Sequence, residues 1–247
     1  MRKWTFRALI LGIVGVGLVY GGILLWTKVI NKPEERFDSE DLAGVVSVST
    51  TFANLTTTTI ASPNDTNDSG STTDNDITGR WTITDGSEVG YRVKEVLGGV
   101  DTEGVGRTDD VSGILDIQGT SITDVTFEVR VATITSDSNR RDSQFAGPIM
   151  ETSVYPTATF QLTQPIELET IPASGTTIDA VAVGELTLHG VTREVTFDVS
   201  ARIDNGIIGV LGSIEILFSD YEIDNPSNGF VTTGDTGLIE FILAFTR

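Results

Sequence analysis

His189 is the only histidine in this 247-residue chain, and there is no cysteine. That limits the chemistry available. A serine nucleophile needs a base within hydrogen-bond reach, and His189 is the one imidazole on offer. Zinc takes sets of His, Cys and carboxylate ligands, and no such set is spelled out here. Asp220, Glu222 and Asp224 alternate, which places three carboxylates on one strand face. Calcium asks for about six to eight oxygens, usually from a tightly turned loop. The three are therefore expected to form a solvated acidic face. Gly104-Val105-Gly106 lacks the third glycine and the following helix of a dinucleotide loop. These residues predict neither catalysis nor a metal or cofactor. They point to a protein that encloses something rather than reacting with it.

The segment that carries His189 shows how such an enclosure is built. GELTLHGVTREVTFDVS, residues 184–200, reads as two β-segments joined by a tight turn at His189-Gly190. After the turn, Val195, Phe197 and Val199 alternate with Glu194, Thr196 and Asp198. That period of two marks a strand with one dry and one wet face. Gly190 can take positive φ and so set the turn, and His189 reads as a structural turn residue.

The same alternation runs from Gly79 to the C-terminus. It appears at Trp81 to Thr84, at Val89-Tyr91-Val93, at Ile114 to Ile117, and at Val125-Phe127-Val129-Val131. It continues at Phe160-Leu162, at Val181 and Val183, which lead into Leu186 and Leu188, and at Ile214-Ile216-Phe218 and Ile239-Phe241-Leu243-Phe245. About eight strands separated by Gly, Asp and Asn turns predict an antiparallel sandwich or barrel. The last strand is so apolar that an open edge there would aggregate. Pairing it back onto Trp81 to Thr84 removes the edge. A closed barrel of about eight strands has an interior that side chains fill or that holds one small ligand. The candidate ligand-facing residues are Tyr91, Val93, Phe127, Val129, Phe160, Phe197, Phe218 and Phe241, each the apolar or aromatic member of its strand. One segment breaks the rhythm. Ser138 to Glu151 predicts a short helix with Ser138 as cap and Pro148 limiting its length, closing one end of the barrel.

Upstream the chain changes character twice. Ala8 to Trp26 is an uncharged, mostly apolar run of 19 residues, about 28 Å as a helix. Arg2, Lys3 and Arg7 precede it, and Lys28, Lys32 and Arg36 follow. It predicts a retained transmembrane anchor over residues 1–32, with the N-terminus in the cytoplasm and the β-domain outside. Residues 33–78 are rich in Thr, Ser, Asn and Asp, with no apolar periodicity from Ser62 to Asp76. They predict a disordered stalk, with Val45 to Val48 as a short strand or sticky patch. The formal net charge is −19, and beyond Thr78 there is a single lysine, Lys94. Such a surface repels phosphate backbones and argues against nucleic-acid binding.

Three motifs in order resemble the YceI-like, polyisoprenoid-binding family. They are Trp81-Thr82-Ile83-Thr84-Asp85 through Ser87-x-Val89-x-Tyr91-x-Val93, then Arg141-Asp142 with Tyr155-Pro156-Thr157-Ala158-Thr159-Phe160, then GELTLHGVTREVTF from Gly184. The resemblance covers residues 79–247. Lys94-Glu95 and Gly106-Arg107 depart from the commoner pattern, in which a His ends the second strand and a Gly-Phe pair follows. The resemblance implies an all-β, extended lipocalin-like antiparallel barrel of about eight strands with one short helix. It also implies a long apolar pocket for an isoprenoid-type lipid, such as a quinone tail or polyprenyl chain. The expectation is a membrane-tethered, single-pass binding protein without cofactor. The alternative is a structural or interaction β-domain whose core its own side chains fill.

Overall fold

A strand that is apolar on alternate residues has one face to bury, and in this chain the strands bury it by closing on themselves. The computed structural model describes residues 33–47, 76–227 and 231–247, together with Gly22 and Gly229. Apart from Gly22, the expected anchor over 8–26 lies outside the described residues, as does the Thr-rich tract over 48–75. Among the described residues no helix is long and apolar enough to cross a membrane.

In chain order the strands are β1 (Gly79–Ile83), β2 (Glu88–Leu97), β3 (Val100–Thr108), β4 (Val111–Gln118), β5 (Ser121–Arg130), β6 (Thr135–Ser136) and β7 (Thr157–Leu162). They continue as β8 (Ile166–Glu167), β9 (Thr177–Leu188), β10 (Val191–Asp204), β11 (Ile207–Leu217), β12 (Val231–Thr233) and β13 (Thr236–Thr246). Eight of them form an antiparallel barrel in the order β1-β4-β5-β7-β9-β10-β11-β13, with β13 pairing back onto β1. The closure runs through Thr82 opposite Thr246 and Ile83 opposite Phe245. The expected pairing of the last strand with the first is thus present, and no apolar edge is left there.

β13 is longer than β1, and its first half pairs with β2 instead, from Leu238 opposite Arg92 to Ile242 opposite Glu88. Ser87 staples the break between β1 and β2. Its Oγ donates to Thr84 O at 2.8 Å and accepts from Ala244 N at 2.9 Å. Beyond the break, β2 and β3 form a hairpin, with β6 along its far edge. The alternation did not flag β3, because Gly104 and Gly106 interrupt its apolar phase. The gap beside the hairpin is spanned by α2 (Asn139–Gln144) and a wide π-type turn, Phe145–Ile149. This is the expected closing helix. Ser138 is its N-cap residue but makes no side-chain cap. Asp142 Oδ1 instead accepts from the Ser136 amide and hydroxyl.

Within the tract expected as a stalk, α1 (Ser39–Ser47) is an ordered helix lying against the outside of the barrel. Asp38 caps it: its Oδ1 accepts from Glu40 N at 2.7 Å, and Asp41 Oδ2 accepts from Asp38 N at 2.9 Å, a reciprocal capping box. Leu42 and Val46, one turn apart, are fully buried. They sit over Gly209, where an added Cβ would come within 2.9 Å of both. Just ahead of α1, residues 34–37 cross the outer face of β3. Glu35 O accepts from Arg107 Nη2, and the Phe37 ring lies 3.9 Å from the Arg107 guanidinium carbon. Residues 33–47 therefore belong to the barrel domain rather than to a stalk. The short strand or sticky patch expected from Val45 onward is instead the end of this helix, with Leu42 and Val46 over Gly209 and Val46 packed on Ile207 and Ala244.

We expect Leu42→Ala to destabilise the domain by about 2 kcal/mol or more, in the range of buried leucine truncations. Urea unfolding of the full chain reads this out. An unchanged midpoint would mean that α1 is not part of the cooperative unit.

Candidate functional site

The upper half of the barrel, under the β2–β3 hairpin, holds a cavity of about 510 Å³, a size typical of small-molecule sites. Its walls are the inward phase of the strands. Val89, Tyr91 and Val93 come from β2, Phe127 and Val129 from β5, Leu186 and Leu188 from β9, and Ile214 and Ile216 from β11. Phe218 closes the wall beyond β11. It lies in a 3₁₀ turn, Phe218–Tyr221, rather than on the strand expected to run through it. That turn also carries Asp220, and Glu222 and Asp224 follow it. The three carboxylates are solvent-exposed and off any strand, so the predicted acidic strand face does not exist.

The lid over the cavity is the π-type turn. Met150 N donates to Phe145 O at 2.9 Å, a wide turn that accommodates Pro148 and points Phe145, Ile149 and Met150 inward. Phe145 stacks on Tyr91 with ring centroids 4.6 Å apart and planes at 14°. Tyr91 in turn lies over Gly106, where a Cβ would meet its ring at 2.6 Å. Burial raises the Tyr91 phenol well above its ordinary value, so it stays a neutral hydroxyl at physiological pH.

The mouth is polar. Arg141 of α2 reaches Glu95 of β2 at 3.7 Å and also pairs with Asp137. Glu95 lies over Gly104, where a Cβ would come within 2.6 Å of its carboxylate. Burial raises the Glu95 carboxyl, with Arg141 opposing. Gly104 and Gly106 are thus neither a nucleotide loop nor a random pair. They are bare backbone on which the Glu95 and Tyr91 side chains rest. Glu95 and Arg141 were visible as a departure from the family pattern and as part of a family motif. Nothing in their spacing announced that they meet.

Of the eight candidate ligand-facing residues, Tyr91, Val93, Phe127, Val129 and Phe218 line the cavity. Phe160, Phe197 and Phe241 do not. They form a layer beneath it, with Phe127 as its upper member. Ring centroids are 5.2 Å apart for Phe127–Phe160, 5.3 Å for Phe160–Phe197, and 5.9 Å for Phe197–Phe241 and Phe127–Phe241. They face inward as the alternation requires, but at a level where the barrel is filled. Phe145, Ile149 and Met150 were not among the candidates, because the lid segment has no strand periodicity to read.

His189 stands at the rim, outside the cavity lining. Its φ is +50°, and Gly190 follows at +78°. Nδ1 lies 3.1 Å from Tyr221 O, and Nε2 is 3.4 Å from Glu151 Oε2. The Tyr155 ring meets its imidazole edge-on at 4.6 Å. These contacts join the loop after the lid, the β9–β10 turn and the turn after β11. The arrangement is that of a tie between loops. Among the described residues no group of His and carboxylates is placed to hold a metal ion.

The model of the YceI-like domain matches residues 81–245 of this chain. In structure the chain is similar to a polyisoprenoid binding domain from Saccharophagus degradans implicated in plant cell wall breakdown. The TM-score is 0.55 at 16% identity, covering 68% of this chain and 98% of that one. It is also similar to BcnA of Burkholderia cenocepacia, with a TM-score of 0.50 at 22% identity, covering 64% and 95%. At these identities the likeness is one of fold. No curated protein matches the chain.

Proposed function

The chain belongs to the YceI-like domain family, and on that premise we propose that its barrel is a binding site for a long apolar lipid of the isoprenoid type. The observation that carries this reading is the cavity itself. It is walled mostly by aliphatic and aromatic side chains and closed below by a phenylalanine layer, and its charged lining residues are Glu95 of β2 and Asp137, Arg140 and Arg141 at α2. An isoprenoid tail supplies the apolar surface such walls bury, at about 0.8 kcal/mol per methylene less the ordering cost. Its polar end then meets Glu95, Arg141 and the Tyr91 hydroxyl. An empty upper half favours this reading over a domain packed solid with its own side chains. The role proposed is holding or carrying the lipid, not transforming it. We further propose that residues 1–32 tether the domain to the cell membrane, with the barrel outside the cytoplasm, close to the bilayer from which such a lipid comes.

The test is organic extraction and mass spectrometry of the purified full chain. A stoichiometric apolar lipid, displaced when geranylgeraniol is added, is the expected result. A chain that carries no lipid and takes up no geranylgeraniol would overturn the reading.

A further inference from the structure

We infer that the phenylalanine layer is a depth stop that sets how long a lipid tail the barrel accepts. This rests on the binding reading above and adds a specificity determinant to it. Five strands end their cavity-lining residues at the same level. On β7 the wall residue is Ala158 and the next inward position is Phe160. On β13 it is Ile239, then Phe241. On β9 it is Leu186, then Gly184; on β11 it is Ile214, then Gly212; on β5 the last wall residue is Phe127 itself. β10 contributes Phe197 to the same level.

The two glycines are sockets. A Cβ at Gly184 would come within 2.5 Å of Phe160 Cζ, and one at Gly212 within 2.5 Å of Phe241 Cζ. Each ring lies against bare backbone on a neighbouring strand, where no side chain displaces it. Phe197 meets Phe160 and Phe241 edge-on, at 71° and 87°. One position further down, Leu162, Ala182 and Leu243 are buried. The layer is therefore a level of large rings, fitted to small wall residues, between an open half and a packed half. A tail entering from the mouth stops there.

Removing one ring deepens the site by a volume similar to one isoprene unit, because apolar cavities made by truncation persist and bind apolar guests. Adding a ring to the wall raises the floor. Phe197→Ala tests the first and Ala158→Phe the second, each in the full chain. The readout is binding of geraniol, farnesol and geranylgeraniol by native mass spectrometry, with circular dichroism as the folding control. We expect Phe197→Ala to shift the affinity ratio toward the longer alcohol by about tenfold or more, the scale of discrimination in an apolar pocket. Ala158→Phe should shift it toward the shorter one. If Phe197→Ala fails to fold, Ala158→Phe decides. Folded variants with the wild-type ratio would overturn the depth stop while leaving the binding reading intact. A wild-type chain that binds none of the three would overturn both.

Discussion

Replacing Glu240 with alanine is expected to cost the fold about 3–5 kcal/mol, the penalty for removing one partner of a buried ion pair. Glu240 sits on the outward phase of β13, where the alternation assigns a solvated residue. Its side chain is 4% exposed, and that of Arg92 on β2 is 2% exposed. Arg92 donates from Nε to Glu240 Oε2 and from Nη2 to Oε1, both at 3.0 Å. The paired geometry is the strong form of such a bond. Arg92 Nη1 also reaches Glu103 at 2.8 Å, and Arg107 Nη2 reaches Glu240 at 2.8 Å. Burial alone would lower the Arg92 pKa, and the bonds to Glu240 and Glu103 more than offset it, so it is raised. Arg36 and Glu34, from the segment before α1, pair with Glu103 and Arg107. In Glu240→Ala, two guanidinium groups lose the carboxylate between them while the covering strap stays in place. Urea unfolding measures the loss, and the double variant Arg92→Met/Glu240→Leu should recover much of it. A single-variant loss below about 1 kcal/mol, the range of an exposed pair, would show that water reaches the cluster and that the strap is not closed over it.

Gly190→Val is expected to be comparably damaging, for a different reason. Its φ of +78° is in the left-handed region, where a β-branched residue costs about 1–3 kcal/mol. Its Cβ would also come within 2.5 Å of Tyr155 Cε1, adding an overpacking cost of about 1–3 kcal/mol. The neighbouring His189→Gln should behave otherwise. It removes the contact between Nδ1 and Tyr221 O, worth about 0.5–1.5 kcal/mol net, and leaves the cavity wall untouched. Its thermal midpoint should fall slightly and its lipid content per mole should stay at the wild-type level. A Gly190→Val protein with an unchanged midpoint would sink the steric argument. A folded His189→Gln protein that lost its lipid would move His189 from a loop tie into the binding site.

What the sequence determined by itself is local. A period of two over Val195 to Val199, or Val125 to Val129, marks which side chains share a face, because successive residues of any strand point to opposite sides. An apolar C-terminal strand cannot stay an open edge, and that foretold its pairing with β1. Three motifs in order identified the family. Register, and what lies over each face, are settled only when distant strands and segments meet. Tyr91 and Phe241 both read as inward aromatics. One lines the cavity and the other plugs it, because the register sets Tyr91 opposite Ile239, two residues above Phe241. Arg92 and Glu240 read as wet, and they are buried in a cluster with Glu103 and Arg107, the two residues that Arg36 and Glu34 from far upstream pair with. Val45 and Val46 read as part of a short strand or sticky patch, and they lie on a helix because Gly209 offers a groove to Leu42 and Val46. Period-two patterning reports a side chain's direction; its depth and its cover are set by contacts between residues far apart in the chain.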